Sequence, residues 1–390
     1  MKNFIFNNLT DRGIIMTIKL KGRIDSSNAA ETEKKISEEI NGFTGEVILD
    51  ASELDYISSA GLRVILRLKK ANSSTSIINC NTEVYEIFDM TGFTELMDIS
   101  KAYRKLSVEG CEVIGEGSNG IVYRTDPDTI VKVYKSPDSL DEIHNERELA
   151  RKAFVMGIPT AIPYDVVQVG DLYGSVFELL SAKSFAQLIA EGEDVEALAK
   201  DSIDILKTIH STELKPGELP SKREEAIKWA EFCKPYLPED IGEKLIKMFN
   251  DIPETNNMLH GDYHIKNIMR QNGENLLIDM DTLSLGHPVF ELSQMYLAYV
   301  GFSEVNPDDI KKFLGIERET ALDFLNYSLK YYFEGKDDEF INSALTKARI
   351  IGYVRLLRRT IRRDSDNTAL LDNCKNQLIK LVPEVSNLYF

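Results

Sequence analysis

Residues 258–269 read MLHGDYHIKNIM, and residues 276–281 read LLIDMD. Asp262 and Asn267 stand five apart in a polar segment flanked by apolar residues. Asp279 follows twelve residues after Asn267, at the end of an apolar strand. Moving a phosphoryl group calls for a carboxylate beside the attacking hydroxyl and for oxygen ligands that hold Mg²⁺ against the phosphates. Asp262, Asn267 and Asp279 are of those chemical types. Any one of them alone reads as a turn-capping Asp or Asn. Their order, taken with what lies upstream, points to chemistry.

Upstream, Gly115, Gly117 and Gly120 form GxGxxG within CEVIGEGSNGIVYRTDPDTIVKVYK, residues 111–135. Alone, this pattern is shared by dinucleotide and mononucleotide folds. A dinucleotide fingerprint must open a helix whose N-terminus holds pyrophosphate. Here IVYR and a DPDT turn follow, so the glycines cap a β-hairpin, the arrangement in which backbone N–H groups cover ATP phosphates. Lys132 lies in the apolar run IVKVY, where an ammonium needs an anionic partner. Phosphate oxygens would supply one, and the helical stretch at 139–157 offers Glu142, Glu146 and Glu148 as carboxylates to fix it. The plainer reading is a surface lysine on an edge strand.

The 390 residues are enough for two or three domains. A 43% hydrophobic and 28% charged composition is that of an ordinary globular chain and excludes a disordered or collagen-like one. No run reaches the roughly 20 apolar residues of a membrane span, and the start MKNFIFNN lacks the order of a signal peptide, so a cytoplasmic location and no membrane partner are expected. The cysteines, Cys80, Cys111, Cys233 and Cys374, have no metal-ligand spacing and suggest no disulfide framework. Charge is unevenly spread: residues 106–340 carry 23 basic and 44 acidic residues, whereas residues 341–390 carry 9 and 4. An acidic body repels nucleic acid and favours cationic small molecules or divalent metals.

The first hundred residues alternate strand-like segments (13–22, 46–50, 76–80) with helix-like ones (26–43, 58–72, 82–92), with Ser26 or Ser27 available to cap the first helix. That alternation implies parallel strands joined by helical crossovers. Residues 101–110 separate this unit from a β-meander, and from about residue 184 the periodicity is mainly helical. Arg355, Arg358, Arg359, Arg362 and Arg363 share one helical face, with Ile350, Val354, Leu357 and Ile361 largely on another. Such a stripe binds an anionic substrate or nucleic acid, or, as is commoner, pairs with the chain's own acidic surface.

Two resemblances follow from these motifs. Residues 108–390 resemble the aminoglycoside phosphotransferase and choline kinase family, whose signature is HGDxHxxN, then IDxD or IDxE, then a GxPxxDL element. The resemblance implies a protein-kinase-like fold with a β-rich N-lobe (106–180) and an α-rich C-lobe (181–390). It implies Asp262 as catalytic base, Asn267 and Asp279 as Mg²⁺ ligands, and Lys132, held by Glu146, on the phosphates of ATP, with GTP an alternative. It further implies nucleotide contacts from Gly115, Gly117, Ser118, Gly120 and Glu178. His264, counted with the catalytic residues, stands where protein kinases place a phosphate-contacting lysine. GHPVFELS (286–293) matches the last element but has Glu291 where the family usually has Asp.

Residues 1–105 resemble the STAS family of the anti-sigma-factor-antagonist type, through GRID (22–25), VILDASELDYISSAGLRVIL (47–66) and TGF (91–93). Ser59 aligns with the serine that regulatory kinases phosphorylate, although Ser58 replaces the neighbouring Asp. The alternative is a serine N-cap that is never modified. The α/β and α+β whole reads as a STAS regulatory module fused to a small-molecule kinase. Six residues separate Asp279 from Gly286, with no APE segment, which leaves little platform for a peptide. The acceptor is then a hydroxyl-bearing metabolite, and the acidic lobe suits an amine-bearing sugar or alcohol. The competing reading is a nucleotide-binding sensor that acts through a regulatory protein bound to the STAS module, or that phosphorylates Ser59.

Overall fold

The computed structural model describes residues 8–10, 13–117, 119–161 and 163–390. The chain divides into two compact units, one running to Ser107 and including Val167–Gly170, the other comprising Val108–Val166 and Asp171–Phe390.

The first unit is a five-stranded sheet in the order Asn8–Thr10, Gly13–Ile24, Glu46–Ile57, Thr75–Cys80, Ile99–Lys101. The first pair is antiparallel and the rest are parallel. The helices Ala29–Glu39, Ser59–Ala71 and Thr82–Met90 make the crossovers and bury Ile36, Val64, Ile65, Val84 and Phe88. The strand expected at 46–50 continues to Ile57, because Ala51, Leu54 and Ile57 stay buried as it pairs with Lys21–Ile24. The two three-residue edge strands are too short to show an alternating pattern.

Two caps differ from expectation. Neither Ser26 nor Ser27 caps the first helix: Asn28 takes the N-cap position without a side-chain capping bond, and Ser27 Oγ donates to Asp25 instead, at 2.6 Å. The cap of the second helix is Ser58, whose side chain accepts from the Ala60 N–H at 3.2 Å. Ser59 is therefore the first helical residue, with an exposed side chain.

In the second unit, Leu172–Glu178, Thr129–Tyr134, Gly120–Asp126 and Glu112–Glu116 run side by side in that order, each antiparallel to its neighbour. Lys132 is thus on a central strand, opposite Ser175 and Val122, and not at an edge. The helix Leu140–Val155 buries Ile143, Glu146 and Leu149. The helical part is built around Val289–Tyr299, every residue of which is buried, and the long helix Asp338–Arg363. A helix apolar enough to be covered all round belongs at a domain centre. Cys80, Cys233 and Cys374 are buried, and burial pushes each thiol up to about 12. Cys111 is half-buried. No helix among the described residues is long and apolar enough to cross a membrane.

Candidate functional site

Two short pairings bring the motif segments together. Met258–Leu259 pairs with Ser284–Leu285, and Ile268–Gln271 forms a hairpin with Glu274–Leu277. His260–Asn267 and Ile278–Thr282 therefore lie against each other. Gly261 has φ +84°, and a Cβ there would stand 2.4 Å from the Thr282 carbonyl, so no side chain fits. Thr282 Oγ1 donates to the His260 carbonyl at 2.7 Å. From beneath, the buried Glu291 carboxylate accepts from the His260 N–H at 2.6 Å and the Gly261 N–H at 3.0 Å. Glutamate in place of the family's usual aspartate still reaches the loop. Burial works to raise its carboxyl, but His210 and the loop outweigh it and hold the group below the ordinary carboxylate range.

Asn267 ties the two strands of the site. Its side-chain amide donates to the Asp262 carbonyl at 2.9 Å, and its own carbonyl accepts from the Ile278 N–H at 3.0 Å. Asp279, one residue on, adopts φ +67°, ψ +60°, a left-handed conformation that costs a non-glycine residue energy and recurs at functional positions. Its Oδ1 lies 3.5 Å from Lys132 Nζ. Glu146 grips the same ammonium with both oxygens, at 2.9 and 3.1 Å, and also accepts from Tyr134 Oη. Burial works against the Lys132 charge, but Glu146 and Asp279 overcome it and raise its pKa.

The carboxylates differ in their surroundings. Burial would raise Asp262, but His264, whose Nε2 lies 3.6 Å away, and Arg355 lower it to about 2. Asp281 moves the opposite way, to about 7, through burial and the nearby charges of Asp279 and Glu146. The sequence reading did not single out Asp281; its signal was the second aspartate of IDMD. His264 is buried, packed edge-on against Phe313 with ring centroids 5.2 Å apart, and its Nδ1 has no hydrogen-bond partner among the described residues.

Lys132, Glu146, Asp262, Asp279, Asp281 and Thr282 line one cavity of about 860 Å³ that also includes Gly115, Gly117, Gly120 and Glu178, whereas Asn267 and His264 are not among its lining residues. Ser118 lies outside the described residues. The three glycines are not equivalent. A Cβ on Gly120 would meet the Val133 carbonyl at 2.7 Å, whereas one on Gly115 or Gly117 would meet nothing nearer than 3.9 Å. The chain's own packing thus requires glycine at 120 and leaves open ground at 115 and 117, where a phosphate could approach the backbone.

The arginine stripe also faces this cavity: Arg355, Arg358, Arg359, Arg362 and Arg363 line it, with Trp229. This corrects the expectation that the stripe pairs with the acidic surface. Arg223 and Arg270 do so, with Glu254, and with Glu193 and Asp201. Among the described residues, no carboxylate pairs with any of the five.

Residues 110–315, just over half of the chain, match the model of the phosphotransferase enzyme family. The chain belongs to that family. Residues 7–106 of this phosphotransferase match the STAS domain. An 87-residue stretch of the chain is 31% identical to BtrV of Bordetella bronchiseptica, named as an anti-sigma factor antagonist, covering 21% of this chain and 75% of that protein. Among solved structures, a thermostable mutant of aminoglycoside phosphotransferase APH(4)-Ia in ternary complex with AMP-PNP and hygromycin B aligns with TM-score 0.51 and 13% identity, over 72% of this chain and 95% of that one. The streptomycin–ATP complex of APH(2")-IIa aligns with TM-score 0.48 and 18% identity, over 80% and 99%. The chain is thus a phosphotransferase by family, with a STAS domain ahead of the matched region.

Proposed function

We propose that this phosphotransferase moves the γ-phosphoryl group of ATP to the hydroxyl of a small molecule, with Asp262 as catalytic base. The observation that carries the reading is the convergence of Asp262, Asp279 and the Lys132–Glu146 pair on the cavity whose glycine loop has open ground at Gly115 and Gly117. The donor set suits the cofactor. Asn267 and Asp279 offer hard oxygen ligands, and Mg²⁺ needs only one or two from protein when phosphates and water supply the rest. When bound, Mg·ATP supplies the electrophilic phosphorus and offsets the charge on its oxygens.

The chain's own groups do the rest. Glu146 fixes the Lys132 ammonium so that it points at the phosphates without having to be ordered at the moment of reaction. Asp262, held ionised, accepts the hydrogen bond of the acceptor hydroxyl and takes its proton as the new oxygen–phosphorus bond forms and the bond to the β-phosphate breaks. His264 acts as a positioning residue behind Asp262. Glu178, on the cavity wall at the end of its strand, would contact the nucleotide. The STAS domain serves recognition of a regulatory protein, with the exposed Ser59 hydroxyl its candidate modification site. The sensor reading is weaker because Asp262, Asn267 and Asp279 keep the chemical types that a base and metal ligands need.

ATP turnover by the full chain against amino sugars, amino alcohols and plain sugars tests the assignment. Asp262→Ala is expected to lower turnover by about 10² to 10⁴-fold while leaving AMP-PNP affinity unchanged. A variant equal to wild type with every acceptor would remove Asp262 from the chemistry.

A further inference from the structure

We propose that the acceptor is an anion: a small hydroxyl compound that already carries a phosphate or carboxylate group, bound by the arginine face of the Asp338–Arg363 helix. The proposal rests on the phosphotransferase reading and fixes the charge of its acceptor.

The spacing 355, 358/359, 362/363 places five guanidinium groups on one helical face, and that face lines the cavity that holds Asp262. In a chain of net charge −17, these five arginines form no salt bridge with a carboxylate among the described residues, and the charge of Arg355 is met only beyond salt-bridge distance, by Asp262, Glu225 and Glu291. Arg355 is the most telling of them. It lies close enough to Asp262 to help hold that carboxyl low, and its Nη1 is buried with no hydrogen-bond partner among the described residues. A buried charged donor left unmade is costly, and a bound oxyanion would satisfy it.

Aromatic rings orient these groups without neutralising them. Arg355 sits over Trp229 at 5.7 Å, Arg358 over Phe232 at 6.0 Å and Arg359 over Phe302 at 5.3 Å. A stacked guanidinium keeps its in-plane N–H groups free, and that planar fork matches carboxylate and phosphate oxygens bidentately. The nucleotide phosphates already have their cation in Lys132, which comes from the β-strands, whereas the arginines come from the opposite end of the sequence. An amine-bearing acceptor finds less here. Glu225, the carboxylate on the Trp229 side of the cavity, is paired with Lys222 at 2.8 Å, and Asp262 is committed to the hydroxyl.

Calorimetric titration of the full chain loaded with Mg·AMP-PNP tests this, using inorganic phosphate, succinate and glucosamine as separate probes. At least one of the two anions is expected to bind and glucosamine is not; whichever anion binds identifies the group recognised. Arg359→Gln, at an exposed position that the fold tolerates, is expected to weaken that binding by roughly tenfold or more, as loss of a charge-assisted hydrogen bond does. Arg355→Lys, which keeps the charge and removes the fork, is expected to weaken it likewise, with AMP-PNP affinity unchanged in both. The proposal is overturned if neither anion binds, if glucosamine alone binds, if both variants bind the anion as wild type does, or if they lose AMP-PNP instead. Failure of AMP-PNP to bind wild type, read before any probe is added, overturns the phosphotransferase reading itself.

Discussion

Glu291 holds the backbone of the HGD loop through the His260 and Gly261 N–H groups, so the position of Asp262 depends on a carboxylate that never meets the cavity. Its carboxyl is depressed in the folded state despite complete burial, because His210 and the loop favour the ionised form. A depressed carboxyl contributes stability that is present above its unfolded value of about 4.3 and is lost as the pH falls through the folded value. Glu291→Gln is therefore expected to destabilise the protein by about 2 to 3 kcal/mol near neutral pH, and its deficit relative to wild type to shrink as the pH falls below about 4. Urea unfolding at a series of pH values measures both; a deficit independent of pH would mean that the ionised form is not what holds the loop. At this scale Asp262, Asn267 and Asp279 were legible because their spacing is local and their chemical types are few. The partners of Arg355 were not, because whether a guanidinium meets a carboxylate or a cavity is decided by helices far apart in sequence.

The strands that carry the glycine loop separate two demands on glycine. Gly120→Ala would press a methyl group against the Val133 carbonyl, in the same strand as Lys132, and is expected to cost about 1 to 3 kcal/mol, the usual range for overpacking. Gly115→Ala has room in the protein and is expected to leave thermal stability unchanged while weakening AMP-PNP binding. Thermal unfolding and nucleotide titration of the two variants check this; equal stability losses in both would show that the protein's own packing, and not a ligand, requires glycine at 115. Element identities were readable from periodicity across most of the chain, since buried faces repeat at 2 or 3.6 residues. Edge strands and the true caps were not, because a three-residue pairing or a choice between adjacent serines rests on contacts with distant backbone.

For the molecule as a whole, the periodicity changes near residues 101–110, and the contacts divide the chain between Ser107 and Val108. The grouping of Val167–Gly170 with the first unit has no local pattern to betray it. Separate hydrophobic cores argue for separate folding. A chain beginning at Val108 is expected to remain soluble and to bind Mg·AMP-PNP within about threefold of the full chain, a difference of less than 1 kcal/mol; aggregation or loss of nucleotide binding would show that the second unit depends on the first. The sealed thiols add a practical property. The thiolate is the nucleophile that attacks thiol reagents, and Cys80, Cys233 and Cys374 are both buried and held protonated. A maleimide dye thus has one practical attachment point in the native chain, Cys111, at the root of the strand that carries Gly115. The wild-type protein comes ready for a fluorescence signal on the strand that leads into the glycine loop.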